Sequence, residues 1–559
     1  MKKSFVALAL ALCLTPGIAS AAIQVNGVSV EKDSNNTIYI AEDKAVITGI
    51  DTDAVLHIEE NVSELTFQNV SIMAPDNDAA LVMPVAQAEI VTLNFEGINT
   101  LVGKNGSDGI NSGNGFRIHL VDGAEVTLKS VSSSGNSRGG NAAFARSLTI
   151  DGKGTLKALG GDCYALSEYG YGEAGHGVHV EGSLTIGKDV TVIAKAGDAH
   201  CKGVEYQGCG IYLSKDLKVE GSLIAMGGNG TIYGGEGIQA YGECIVADNA
   251  SVKATGGNGS KAGGYGVDIY ESMEIGGTVE AAGGDGGETG GYGVYTGELL
   301  EISGTVEAAG GDGGTVGGRG MHAYGSLKIS GTVEATGGDG GTVGGYGVYG
   351  YEFLEISGTV MATGGNGEDE GRDGIYSKKL LEISGRVKTA GGNGKELGGD
   401  GIDGCGKMII GGDVTAKGGA GENTGGNGME IEKDGAKIVL NGKLRAEGGS
   451  GAVAGVGLSN VDGETVVSGD VMILSGGDGM AAIEGKSLTL DGVFGGESRD
   501  GEEWWDTITS TMRYFASFAQ RQKVMSLPQT GDNSSLGLWL ALLFVAGVGM
   551  LRMRKRVHN

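Results

Sequence analysis

Three features of the sequence predict an all-β fold, a parallel β-helix solenoid with coils of about 27 residues. A short motif recurs at a fixed step, each repeat contains brief segments that alternate apolar and polar residues, and glycine crowds the stretches between them. The motif Gly277-Thr278-Val279-Glu280-Ala281 returns at Gly304, Gly331 and Gly358, 27 residues apart each time, and the same step continues at Gly385 and Gly412. Weaker copies reach back through Val252, Leu223, Val192, Leu156, Leu128 and Leu101, and forward to Leu444 and Val471. The regular array is therefore assigned to residues 96–495.

One unit shows why the coil is built of strands. Gly293-Val294-Tyr295, Leu300-Glu301-Ile302 and Thr305-Val306-Glu307-Ala308 are three short segments of period two, and no helical period of 3.6 is present. Each is too short for a sheet of its own, so each is expected to pair with its counterpart one coil away, about 4.8 Å along the axis. Inward columns then read Val267, Val294, Met321, Val348, Ile375, Ile402 and Ile275, Ile302, Ile329, Ile356, Ile383. Glycines such as Gly310, Gly311, Gly313 and Gly314 mark the corners, where positive φ is expected of them. Proline is absent between Pro84 and Pro528, as continuous ladder donors require. A propeller blade needs about 40–50 residues and does not fit this step. Fourteen or fifteen coils make a rod of roughly 70 Å.

Composition agrees. Glycine supplies 113 of 559 residues, but there is no Gly-X-Y triplet, only 4 prolines occur, and the 40% hydrophobic content is enough for a core. The net charge of −28 excludes a nucleic-acid partner, which needs clustered Lys and Arg.

Both ends carry addressing features. Met1-Lys2-Lys3, the apolar run from Phe5 to Leu14, and the small residues Ala19 and Ala21 read as a signal peptide over 1–21. Cys13 follows Leu12 rather than a small residue, which argues against a lipoprotein anchor. At the other end, Leu527-Pro528-Gln529-Thr530-Gly531 precedes an apolar segment over 536–551 and a basic tail over 552–559. Segment 527–559 resembles the sortase sorting signal of LPxTG-anchored Gram-positive surface proteins. The resemblance implies that a sortase cysteine cleaves the Thr530–Gly531 bond and passes the chain to peptidoglycan, with a transient membrane segment before sorting. Removal of both ends leaves 35 basic and 68 acidic residues, a charge of −33.

The glycine-cornered short strands also resemble carbohydrate-binding β-helix domains of Gram-positive surface proteins, whose coils are right-handed by default. That likeness rests on periodic composition and transfers no site residue. It implies polysaccharide or host glycan as the partner; some relatives associate with calcium, and pectate lyases share the fold. Here the acids repeat on every coil instead of gathering in one, as a scaffold or multivalent binder shows, so no enzyme is expected.

A 27-residue repeat stacks outward residues into columns. Tyr265, Tyr292 and Tyr346 form one and Tyr295, Tyr349 and Tyr376 another, with His322 in register; both are candidate ligand platforms. Glu280, Glu307 and Glu334 form an acidic column. Asp285, Asp312 and Asp339 share a corner column with Asn258, Asn366 and Asn393 and are candidate calcium ligands. The step lengthens between Leu156 and Leu223, where Cys163, His176, His179, His200, Cys201 and Cys209 lie. A disulfide from Cys163 to Cys201, or from Cys201 to Cys209, is a candidate there, and 160–210 is the first place to look for binding.

The domain plan is then 1–21 signal peptide, 22–95 N-terminal cap and irregular first coils, and 96–495 coils. A helical cap and linker at 496–526 and the sorting signal follow. The cap rests on Trp504, Ile508, Met512 and Phe515, spaced as one helical face. The expected function is a secreted, wall-attached adhesin or carbohydrate-binding rod. A structural spacer is the alternative, and a polysaccharide lyase using Arg319 or Arg372 the more distant one.

Overall fold

The computed structural model describes residues 22–515 apart from 84–89, 133–137, 165–171, 201–204, 432–435, 469, 475–482 and 498–502. The signal peptide, the sorting signal and Cys201 lie outside the described residues.

The chain coils as a parallel β-solenoid. In the central array each coil lays down three strands, for example Val294–Thr296, Leu300–Ile302 and Thr305–Ala309. Each pairs in parallel with its counterpart on the next coil: Val294 with Met321, Leu300 with Leu327, Thr305 with Thr332. This register superposes chemically matching residues, which is why a fixed step in the sequence becomes a straight column in space. The inward columns are as the alternation requires. Val267, Val294, Met321, Val348, Ile375 and Ile402 are fully buried, and Ile275, Ile302, Ile329, Ile356 and Ile383 line a second wall. Val279, Val306, Val333 and Val360 line the third. Each such side chain contributes about 1.5–3 kcal/mol by leaving water.

The corner glycines have a different cause from the one expected. Among the described residues, glycines with positive φ are Gly27, Gly49, Gly97, Gly106, Gly123 and Gly152, all before the regular coils. In the array the constraint is proximity between coils. A Cβ on Gly311 would lie 2.0 Å from the carbonyl oxygen of Gly284, one on Gly338 2.0 Å from that of Gly311, and one on Gly365 1.9 Å from that of Gly338. The corner backbone of one coil rests directly on that of the last, so a side chain has no room.

Both ends close with antiparallel pairing, which stops the parallel ladder from recruiting further strands. At the N-terminus, Gln24–Val25 pairs antiparallel with Val28–Ser29 and with Ala45–Asp51. The turn between them is Asn26-Gly27, with φ of 51° and 77°, the left-handed pair that tight hairpins favour. At the C-terminus, Glu503–Phe515 is a strand paired antiparallel with Ile483–Glu497, where a helix was expected. Its sequence carries the β-branched residues Thr507, Ile508, Thr509 and Thr511, and an open ladder edge is available to pair with. That combination outweighs the four-residue spacing of Trp504, Ile508 and Met512.

Where the coils lengthen, Gly172–Glu173 and Glu205–Tyr206 form a small parallel sheet of their own.

Candidate functional site

The first strand of each coil and its two flanks place three polar columns side by side on one face. The column just before the strand reads Glu236, Tyr265, Tyr292, Arg319, Tyr346 and Asp373, fixed by the pairing of Ile238, Val267, Val294, Met321, Val348 and Ile375. The outward residue of the strand itself reads Tyr212, Gln239, Asp268, Tyr295, His322, Tyr349 and Tyr376. The residue after the strand gives Tyr241, Tyr270, Gly297, Tyr324 and Tyr351.

The six tyrosines expected as platforms fall in the first two columns, and the structure joins them into one cluster. Tyr265 and Tyr292 stack at 4.6 Å with planes 7° apart. Arg319 separates them from Tyr346, and its guanidinium lies 4.0 Å over the Tyr349 ring and within 5.3 and 5.4 Å of Tyr292 and Tyr346. His322 stands edge-on between Tyr295 and Tyr349 at 5.1 and 4.8 Å, and its Nδ1 is 3.0 Å from the Arg319 guanidinium. Tyr349 and Tyr376 stack at 4.9 Å, and the Tyr376 hydroxyl is 3.0 Å from the Cys405 sulfur. Much of this ring surface is therefore turned onto neighbouring rings.

Burial dominates the electrostatics. It raises the phenols of Tyr265, Tyr346 and Tyr376 above their usual range. It holds His322 down to about 3, with Arg319 adding to the effect. Asp268, 5% exposed, is raised to about 7, first by burial and then by the Glu236 carboxylate, although the Gln239 amide donates to it at 3.2 Å.

The third column is the most exposed, and sequence reasoning did not find it. Tyr241, Tyr270 and Tyr324 are 41%, 45% and 50% exposed. Tyr241 stacks on Tyr270 at 4.4 Å, and Tyr324 on Tyr351 at 4.6 Å, both pairs with planes 14° apart. The signal was present, since Tyr324 and Tyr351 keep the 27-residue step, but Gly297 interrupts the recurrence. Tyr241 also meets Tyr212 of the second column edge-on at 6.0 Å, and Tyr212 in turn stacks on His176 at 4.9 Å and meets His179 edge-on in the lengthened coils. Burial holds His176 at about 3.

The acidic corner column has a structural occupation. The Oδ1 of Asp285 accepts the backbone N–H of Asp312 at 2.9 Å, Asp312 accepts that of Asp339 at 2.8 Å, and Asp339 accepts that of Asn366 at 2.7 Å. Asn258, Asn366 and Asn393 make the same bond. Among the described residues no three His, Cys, Asp or Glu side chains converge to hold a metal ion. In the exposed acidic column, Glu280 is ion-paired with Lys253. Cys209 is buried, its sulfur donating to Glu236 Oε2 at 3.3 Å, and Cys201, on which both disulfide candidates depend, lies outside the described residues. Cys163 is buried and sits in register with Ala199.

Residues 519–559 match the LPXTG cell wall anchor motif. No curated protein and no solved structure matches the chain. Among the described residues no helix is long and apolar enough to cross a membrane, and the apolar segment 536–551 lies outside them. The matched motif carries sortase processing and covalent attachment to peptidoglycan, in agreement with Leu527-Pro528-Gln529-Thr530-Gly531 and the segments that follow it. The chain is a Gram-positive cell-wall-anchored surface protein whose described body is a parallel β-solenoid.

Proposed function

We propose that this protein is a non-catalytic carbohydrate-binding adhesin, exported by the signal peptide at 1–21 and holding a rigid aromatic face away from the wall. The observation that carries the reading is the column of half-exposed tyrosines at Tyr241, Tyr270 and Tyr324, each tied to the preceding coil by its backbone N–H. A tyrosine already held by a backbone bond to the preceding coil and by a stacked neighbour loses little freedom when a sugar settles on its ring, and its hydroxyl remains available to the sugar's own. Repetition over neighbouring coils favours a polymer, because each further contact is intramolecular. The charge of −33 on the processed chain repels polyuronic acids and favours neutral or amino-bearing glycans. Binding is expected without calcium, since the corner carboxylates already accept backbone amides.

Glycan-array binding of the processed chain, with and without calcium, tests this; binding to nothing in either state leaves the spacer reading in its place. Arg319 rests against rings and Arg372 lies 3.6 Å from Glu370, so neither is offered as a catalytic base. Release of unsaturated oligosaccharides from acidic glycans, lost in Arg319→Ala or Arg372→Ala, overturns the non-enzymatic assignment.

A further inference from the structure

Gly297 interrupts the third column, between two stacked pairs of rings. Because Tyr241 and Tyr270 stack at 4.4 Å, close to one coil step, their planes lie nearly perpendicular to the rod axis. The same holds for Tyr324 and Tyr351 at 4.6 Å. One face of Tyr270 and one face of Tyr324 are therefore aimed at each other along the axis, two coils apart, or about 9.6 Å at roughly 4.8 Å per coil. The register confirms the interval, since Ile269 pairs with Thr296 and Thr296 with Ala323, which sets Tyr270, Gly297 and Tyr324 in line.

The interval is built into the backbone. A Cβ on Gly297 would lie 2.1 Å from the carbonyl oxygen of Tyr270, so this coil cannot contribute a ring to the stack without moving. Tyr295, the nearest ring on the same coil, leans the other way, onto Tyr265, Tyr292 and His322. Thr296 points into the core. Glu271 and Glu298 follow Tyr270 and Gly297 on the outer side, both exposed.

We infer that the interval at Gly297 is a ring-binding subsite, in which one pyranose is held between Tyr270 and Tyr324. A ring centred there lies about 4.8 Å from each tyrosine, inside the range at which ring faces attract. The carboxylates of Glu271 and Glu298 accept hydrogen bonds from its hydroxyls or from an amino substituent. They exclude a uronic acid, whose carboxylate would meet them unpaired. The subsite takes a neutral or amino-bearing sugar unit within a longer chain. It rests on the carbohydrate-binding reading and names the position and chemistry of one contact.

The test is titration calorimetry of the processed chain with cellohexaose, glucosamine hexaose and galacturonic acid hexaose. The first or second should bind and the third should not. Tyr270→Ala and Tyr324→Ala should each weaken binding about tenfold, equivalent to about 1.4 kcal/mol. Tyr270→Phe and Tyr324→Phe keep the ring face and should keep the affinity within about threefold. Tyr39→Ala, an exposed tyrosine of the first coils outside the three columns, should have the same small effect, and circular dichroism checks that every variant is folded. Wild-type binding that survives both alanine substitutions overturns the subsite and leaves the carbohydrate reading intact. Binding of galacturonic acid hexaose at Gly297 overturns the assigned chemistry. Failure of the wild type with every glycan on an array defeats both.

Discussion

Gly311→Ala should open the rod locally, and the structure gives the size of the effect. The added Cβ would sit 2.0 Å from the Gly284 oxygen, 2.5 Å from its carbon and 3.0 Å from the Gly283 oxygen. All three are backbone atoms of the preceding coil, so relief requires the coils to part by about 1 Å or more, since carbon and oxygen in ordinary contact lie more than about 3 Å apart. That displacement strains the bonds this corner makes: Gly311 N–H to the Gly291 oxygen at 2.9 Å, and Gly318 N–H to the Gly311 oxygen at 2.8 Å. Losing two buried backbone bonds costs about 2–6 kcal/mol. Gly411 provides the control within the same array. A Cβ there meets only the Ile383 oxygen, at 3.7 Å, so Gly411→Ala should be neutral or stabilise by about 0.4–1 kcal/mol through the unfolded chain. A solenoid does not unfold as one unit, so the assay is hydrogen exchange followed by mass spectrometry on peptides spanning 284–318. About 3 kcal/mol corresponds to faster exchange there by roughly a hundredfold. Unchanged protection in Gly311→Ala, or the same response from both variants, refutes the account of the corners as sites of coil-to-coil backbone contact.

Three further outcomes follow from the same geometry. Asp312→Asn keeps the acceptor for the Asp339 amide and removes one charge from a like-charged stack, so in melts at low salt it should equal or exceed wild type, an advantage that fades as salt is added. Asp312→Ala lacks the acceptor and should lose about 0.5–1.5 kcal/mol. Asp268 is raised from 3.8 to about 7, so the folded state keeps its proton to higher pH than the unfolded chain does. Its contribution is full below about pH 4 and is lost as pH rises through about 7; Asp268→Asn should flatten that part of the stability profile by about 2–4 kcal/mol, measured by denaturant melts from pH 4 to pH 8. Thr530→Ala should leave the protein in the membrane fraction, and its continued release by muramidase as a peptidoglycan-linked species would contradict the assigned cleavage bond.

The coil was legible because each inward position is read once per turn: Val294, Met321 and Val348 are at once a spacing in the sequence and a contact in space. The reason for the glycines was not legible. A glycine required for positive φ and one required by a neighbouring backbone look alike in sequence, and only the distance from Gly311 to the Gly284 oxygen separates them. The C-terminal strand was misread because Trp504, Ile508 and Met512 satisfy a helical spacing, whereas the ladder edge of Ile483–Glu497 that decides the matter is a tertiary feature. In the aromatic face, a search for recurring tyrosines recovered Tyr265 and Tyr292 but passed over Arg319, which shares their column and binds it to the next. It also lost Tyr270 and Tyr324, since the residue between them in the column is a glycine. The column's function is proposed for that very interruption.

Two corners of the coil use the same device, and the difference between them indicates where the rod is specialised. At the corner of Asp285 the bond from side chain to backbone amide runs on from Asp162 to Ala420. At the corner before the first strand, Asp108 accepts the Asn141 amide at 2.7 Å, Asn141 that of His176 at 2.9 Å, and His176 Nδ1 that of Cys209 at 2.9 Å. The pattern resumes with Asp373 accepting the Asp400 amide at 2.8 Å and Asn427 that of Val456 at 2.9 Å. Between these two runs stand Glu236, Tyr265, Tyr292, Arg319 and Tyr346, side chains too long or too aromatic to make so short a bond to the next coil's amide. Ring stacking and the Arg319 guanidinium join neighbouring coils there instead. The coils that depart from the short ladder are the ones that carry Tyr241, Tyr270, Tyr324 and Tyr351. A rod selected only for length would keep one corner chemistry throughout. The departure is confined to adjacent coils and to one face, which places the specialised surface in the middle of the rod, continuous through Tyr212 with the lengthened coils.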